Sequence, residues 1–415
     1  MDTASSFVGS PFFFVRAARD EWSFGLDLAR RADHGRRDMT VKTPSFDAAT
    51  MLAGLRRWVE CESPTFVPEA VNAMMDLASG DLAAAGATVE RIAGPPGLGD
   101  CVRATVPHPR QGEKGVLVMA HLDTVHPLGT LEALPFRVEG GRAYGPGILD
   151  MKGGTYAAVE AIRRLAEAGI ETPLPVTVLL TSDEEIGSPG CRAIIEAEAA
   201  GHSYVLVPEP AHPPDGVVTG RYAIARFDLE ATGRPIHAGF DPRKGRSAIA
   251  EMARRIGEIE AMTDDDCTFS VGVVHGGQWV NCVPKSCRAE ALSMAKRQSD
   301  LDRGVERMLA LTRIDGDGLG FRVTRGVTRP VWEPGPGTMA LYDLARDVAR
   351  DIGFDLTHGS SGGGSDANFT GAAGIASLDG LGVVGEGYHT LDEHIVVESL
   401  PRRAALIAGL LARLA

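Results

Sequence analysis

Residues 115–125, GVLVMAHLDTV, decide how this chain is read. The run 115–120 is apolar throughout and too short for a buried helix. It predicts a strand covered on both faces, as at the centre of a helix-flanked sheet. The run leads straight into His121-Leu122-Asp123, where the i, i+2 spacing sets an imidazole and a carboxylate on one side of a strand end. Sheets of this kind present side chains to a crevice at their strand ends. There the ring can hold a metal ion while Asp123 orients it through its other nitrogen.

Four more motifs repeat the pattern. PVTVLLT (175–181) predicts a second buried strand and runs into Asp183, Glu184 and Glu185. An acidic run is ordinarily a solvated face, but not directly behind a buried strand. Residues 204–207 predict a third strand, followed by Glu209 in VPEP; Asp150 lies in GILDMKGG and His389 in GYHT. His121, Asp150, Glu185, Glu209 and His389 offer two imidazoles and three carboxylates, a set suited to two zinc-like ions. Glu184 and Glu185 diverge, so both cannot bind one ion. Asp392, Glu393 and His394 are expected on the surface beyond.

Around these motifs strands and helices alternate. Helical periodicity covers 46–61, 70–85 and 152–168, with strands at 89–92 and 101–106. Between about Gly220 and Pro330 the rhythm becomes strand 222–231, helix 247–262, strands 268–274 and 286–294, helix 300–311, strand 320–324. That βαββαβ order is the ferredoxin-like arrangement. A helix at 337–351, the loop GSSGGGSDAN, a strand at 374–377 and a helix at 399–414 resume the first pattern. The expected fold class is α/β: a mixed sheet flanked by helices and carrying a two-metal site (45–219 and 331–415), with an inserted ferredoxin-like α+β domain (220–330).

Residues 1–44 form an N-terminal extension. Phe12–Phe14 are apolar, but no basic stretch precedes them and no cleavage site follows, which argues against a secretory signal. Residues 17–32 suit one charged helix. The extension reads as a subunit contact or as untranslated sequence with Met39 the start, and the second is preferred.

The chain's 42 Lys and Arg against 55 Asp and Glu give a net charge of −13, which excludes a basic nucleic-acid footprint. No apolar run reaches the roughly 18 residues of a membrane span. Cys61, Cys101, Cys191, Cys267, Cys282 and Cys287 form no CxxC pair and read as reduced thiols of a cytoplasmic protein. The partner expected is a small-molecule substrate, with neither nucleic acid nor membrane.

From about residue 45 onward the chain resembles the metallopeptidase family that contains glutamate carboxypeptidase, aminoacylase, acetylornithine deacetylase and succinyl-diaminopimelate desuccinylase. HLDTV, PFRVEGGRAYGPGILDMKGG, DEEIGS, the HAG at His237 and GGGSDA bring it nearest the glutamate carboxypeptidase branch. The resemblance implies two metal ions per chain, zinc first with manganese or cobalt also suited, and a lid domain that commonly forms a homodimer or higher homo-oligomer. It makes Asp150 the bridging carboxylate, Glu185 a ligand and Glu184 the general base, with Glu209 completing one ion and His389 the other. His237 would reach the active site, in some members across the dimer, to steady the oxyanion. Asn281, in VNCVP, matches a substrate-contacting Asn. Gly363, Gly364 and Ser365 form a backbone-rich loop able to grip a substrate carboxylate.

One departure stands out. That branch carries an Asp-hydrophobe-Arg triplet on the strand after the Asn loop, and its Arg clamps a carboxylate. Here an ungapped register sets Leu292-Ser293-Met294 there, so Met294 replaces the Arg. Methionine suits a flatter, apolar group. Three readings result: an amide hydrolase of carboxypeptidase or deacylase type; an aminohydrolase on an unusual amine such as 5-nitroanthranilate; and a non-catalytic binding protein that keeps the fold.

Overall fold

A computed structural model describes residues 44–240 and 242–415. Phe12–Phe14, the helix expected at 17–32 and Met39 fall outside the described residues.

The chain opens with α1 (Ala48–Val59), capped where Asp47 Oδ1 accepts the Thr50 N–H at 2.8 Å, and α2 (Pro68–Ala84). Strands β1 (Thr88–Ile92), β2 (Cys101–Thr105) and β3 (Gly115–His121) follow, then α3 (Gly153–Glu167), β4 (Val176–Thr181), α4 (Arg192–Ala200) and β5 (His202–Leu206). An insertion holds β6 (Ala223–Thr232), α5 (Ala248–Glu260), β7 (Cys267–Gly276), β8 (Ser286–Ala295), α6 (Gln298–Leu309) and β9 (Gly320–Arg329). The chain returns through α7 (Pro336–Asp351), β10 (Ala376–Leu378) and α8 (Ser399–Leu411).

The central sheet runs β1-β2-β4-β3-β5-β10, and β4, β3, β5 and β10 are parallel. Every residue of β3 and β4 is buried, as strands covered on both faces require. Leu117, Met119, Leu179 and Val205 pack with Ile195 and Ala199 of α4 on one face. On the other, β3 meets α3, which packs on α8.

The inserted sheet runs β7-β8-β6-β9, antiparallel throughout, with a short strand Arg313–Ile314 beyond β9. Alternation gives it two unlike faces. Ala223, Ala225, Phe227 and Leu229 of β6 and Cys287, Ala289 and Ala291 of β8 join Met252, Leu301 and Met308 of its helices in one core. The alternate residues, including Ile224, Arg226, Leu292 and Met294, lie on the open face. β9 runs further than the sequence pattern suggests, and a bulge between Arg325 and Thr328 shifts its register so that Arg329 sits opposite Ile224. A bulge of this kind re-aims the side chains beyond it. Without it Arg329 would not share the open face.

A candidate metal centre at the strand ends

Because β4, β3 and β5 are adjacent and parallel, their carboxyl ends deliver side chains to one crevice. His121 ends β3 and pairs with Thr181, the last residue of β4. Asp123 is wholly buried and ties the two ends together. Its carboxylate accepts the Glu184 N–H at 3.2 Å, the Glu185 N–H at 3.3 Å and the Thr65 hydroxyl at 2.8 Å. His121 Nδ1 lies 3.0 Å from the Asp123 carbonyl oxygen and 3.4 Å from its carboxylate, so both fix the ring. Its Nε2 then points outward.

Asp150 stands between two imidazoles. Its Oδ1 lies 3.2 Å from His121 Nε2 and its Oδ2 lies 3.2 Å from His389 Nε2. Glu209 is 3.7 Å from the first ring and Glu185 is 3.3 Å from the second. The five side chains thus form two half-sites that share one carboxylate. Ligand atoms of His121, Asp150 and Glu185 lie within 4.8 Å of one another. His389 sits at φ 58, a left-handed conformation uncommon for a side-chain-bearing residue, which turns its ring inward.

Two glycines allow the approach. A Cβ on Gly154 would fall 1.9 Å from Pro208 O, and one on Gly153 would fall 2.4 Å from Ile148 O. Only a bare backbone lets the start of α3 lie against the segment that carries Glu209.

The electrostatics of the cluster call for cations. Burial first, then Asp150, pushes Glu185 up to about 8, and the same causes raise Glu209 well above the carboxylate range. Hydrogen bonds to Asp150 and Glu185 raise His389 to about 10. Burial opposes charge on His121, but Asp123 and Asp150 prevail and raise it well above the usual imidazole value. Burial likewise opposes charge on Asp150, yet hydrogen bonds from both rings hold it low. Without a cation, crowded carboxylates must retain protons they would ordinarily release.

Glu184 is also buried, which raises it to about 7, but it touches neither ring. Its partner is Arg329, with Nη2 donating to Glu184 Oε1 at 2.8 Å and Nη1 donating to Asp366 at 3.0 Å. Sequence reasoning missed this arginine. It also misplaced two residues expected on the surface: Glu393 and His394 are buried, and only Asp392 is exposed. Glu393 accepts the N–H groups of Gly147, Leu149 and Asp150 at 3.0, 2.8 and 3.1 Å, and His126 Nε2 lies 2.6 Å from it. It pins the loop that presents Asp150. A charged side chain in a polar triplet reads as solvated unless its backbone donors are visible, and they lie about 245 residues away in the chain.

A basin of about 520 Å³ opens over the cluster, and Met294, Gly363 and Gly364 line it with Ile224, Leu292 and Tyr388. Two expected substrate contacts, Ser365 and Asn281, and the expected oxyanion donor His237 are not in its wall. Ser365 is fully buried; its hydroxyl donates to Asp379 at 2.6 Å and accepts the Ala367 N–H, so it caps a turn instead. His237 and Asn281 are exposed on paired loops, where the Ala238 N–H donates to the Asn281 carbonyl at 2.9 Å. The glycine loop is held from behind, since the Gly363 and Gly364 carbonyls accept from Arg221 at 2.8 and 3.2 Å.

Comparison with known proteins agrees with this geometry. The pattern of the peptidase family M20/M25/M40 matches residues 117–413. Carboxypeptidase G2 of Pseudomonas sp. (strain RS-16) is 32% identical over 399 residues, covering 93% of this chain and 94% of that protein. Succinyl-diaminopimelate desuccinylase of Dechloromonas aromatica is 29% identical over 318 residues, 71% of this chain and 82% of that one. An M20 family metallo-carboxypeptidase of Sulfolobus solfataricus shares the fold, with a TM-score of 0.70 at 15% identity over 87% of this chain and 98% of its own. A family pattern whose span takes in all five side chains of the candidate cluster, with a relative matched almost end to end, makes this chain a member of peptidase family M20/M25/M40, a hydrolase of peptide or amide bonds.

Proposed function

We propose that this enzyme cleaves a C–N amide bond in a small substrate, with two divalent ions held on either side of Asp150. The observation that carries the reading is the Asp150 carboxylate with one ring 3.2 Å from each oxygen. His121, Asp150 and Glu209 would hold one ion, and Glu185, Asp150 and His389 the other. The donors fit: oxygen and imidazole nitrogen suit zinc first, and manganese or cobalt as well. Among those donors, Glu185 and Glu209 are raised by burial and by Asp150, and cations between them would favour their charged forms. When bound, ions of this kind supply Lewis acidity, making water a nucleophile at neutral pH and drawing charge from the amide oxygen.

The chain's own groups do the rest. Glu184 is free of both rings and faces the basin, so it suits a general base that takes a proton from water and returns it to the leaving nitrogen. Arg329 holds that carboxylate in place. Asp123 keeps His121 in the tautomer that turns Nε2 toward the cluster.

His237 is exposed and outside the basin wall, which fits a role in the site of a second copy, where a donor would steady the developing oxyanion. β7 is an edge strand with Val273 and Val274 exposed, and Trp279 and Val280 are exposed in the loop after it. Such an edge suits a homodimer in which the inserted domain serves as lid and contact. Six free thiols suit the cytoplasm. No described helix is long and apolar enough to cross a membrane. The aminohydrolase and binding-protein readings gain no support from the relatives above.

The test is a turnover screen of dipeptides and N-acyl amino acids with zinc, manganese or cobalt added. Cleavage that ceases on chelation and returns with metal is expected. Full turnover in excess chelator, after verified metal removal, would overturn the mechanism.

A further inference from the structure

Three arginines line the basin, and they are not equivalent. Arg221 is buried and donates to Asp379 at 2.6 Å. Arg329 is buried between Glu184 and Asp366. Each is neutralised by carboxylates of its own chain. Arg226 is exposed, and its Nη2 donates to the Glu185 carbonyl oxygen at 3.1 Å. Among the described residues no carboxylate oxygen lies within 4.0 Å of it. Most of its donors remain available to a ligand.

Toward the basin its neighbours are apolar, while one rung along the same face on the other side stand Asp228 and Glu290. Antiparallel pairing sets Arg226 opposite Leu292 and Ile224 opposite Met294, and all four face the basin from the open side of the inserted sheet. One unneutralised cation therefore stands beside a strip of three apolar side chains. Across the basin stand four carboxylates, those of Asp150, Glu184, Glu185 and Glu209. An anionic substrate entering there needs a compensating charge that the chain has not already used. A guanidinium supplies it as a planar fork that matches a carboxylate.

We infer that Arg226 anchors a carboxylate of the substrate, while Ile224, Leu292 and Met294 receive an apolar group joined to it. The substrate class is an amide bearing a carboxylate and an apolar group. This rests on the amide-hydrolase reading above.

The probe pair is 4-bromohippurate and its primary amide, which differ only in the charged group. Calorimetry on the zinc-loaded full chain should show the acid bound on the order of 10- to 100-fold more tightly than the amide. Arg226→Met should erase that preference and Arg226→Lys should retain part of it. Met294→Arg in the Arg226→Met background, which moves the guanidinium one strand over, should restore it. An unchanged preference in Arg226→Met, or none in the wild type, overturns the assignment. Turnover separates the two proposals. An acid bound through Arg226 but cleaved under no metal condition would sink the amide-hydrolase reading and keep the anchor. Cleavage with a preference that ignores Arg226 would do the reverse.

Discussion

At the edge of the central sheet each functional side chain is held by another. Asp123 gathers the His121 ring and the Glu184–Glu185 turn, Glu393 gathers the Asp150 loop, and Arg329 holds Glu184. The loop of His237 is built differently. Its ring accepts the Gly239 N–H at 3.1 Å and lies 4.9 Å from the exposed Phe240 ring, and neither contact turns it toward the basin. A group that must act without reorganising is over-determined by its neighbours. On the proposed reading, His237 would instead be positioned by a second copy.

The sharpest break of that contrast is Asp150→Ala. A carboxylate common to both half-sites should take activity to background and metal content below one ion per chain, read by elemental analysis. Retention of both ions would show that the half-sites are independent. Next comes Glu184→Gln, which keeps shape and removes the base. Its kcat should fall on the order of 100-fold or more with metal content unchanged. If this change strips metal while Glu185→Gln does not, the roles of the two glutamates are reversed.

His237→Ala tests the other region, with an expected loss of roughly 100-fold in kcat. Mixing it with Asp150→Ala, inactive alone, should raise activity above that of His237→Ala by itself, through hybrid dimers that hold one complete site. No recovery, despite shown subunit exchange, would place His237 in its own chain's chemistry. Glu393→Gln should weaken metal binding by about 10-fold, because an amide nitrogen would face N–H donors that need an acceptor. The smallest effect is in protons. Glu185 at about 8 and His389 at about 10 hold protons at pH 7 in the metal-free protein and must lose them to bind. Metal uptake should therefore release more than about one proton per chain, and affinity should fall as pH drops from about 8 to about 6. Calorimetry in buffers of different ionisation enthalpy reads both.

What the sequence made legible is local. GVLVMAH declares a buried strand with a ligand at its end because apolar continuity and a terminal polar residue are adjacent in the chain. Met294 was placed at the site by an ungapped register against the family's Asp-hydrophobe-Arg triplet, and in the structure it lines the basin opposite Ile224. Arg329 was not legible, since a bulge sets its face and RGVTR shows no apolar period. Glu393 failed for a related reason: burial and satisfaction come from a loop distant in the chain. Ser365 looked like a ligand contact because a glycine-rich loop gives no sign of which hydroxyl turns inward to Asp379.

The shared carboxylate also orders the making of the enzyme. His121, Asp150 and Glu209 are all synthesised by residue 209, whereas His389 and Glu393 belong to the last stretch of the chain. On the proposed two-ion reading, the ligands of the first half-site would all be present on a partly made polypeptide. The second can close only after the inserted sheet and the return of the chain to β10 are complete. Contacts of such long sequence separation form late. A nascent or C-terminally truncated chain would then be a one-ion species with the Asp150 loop unpinned, so hydrolytic competence arises only with the finished protein.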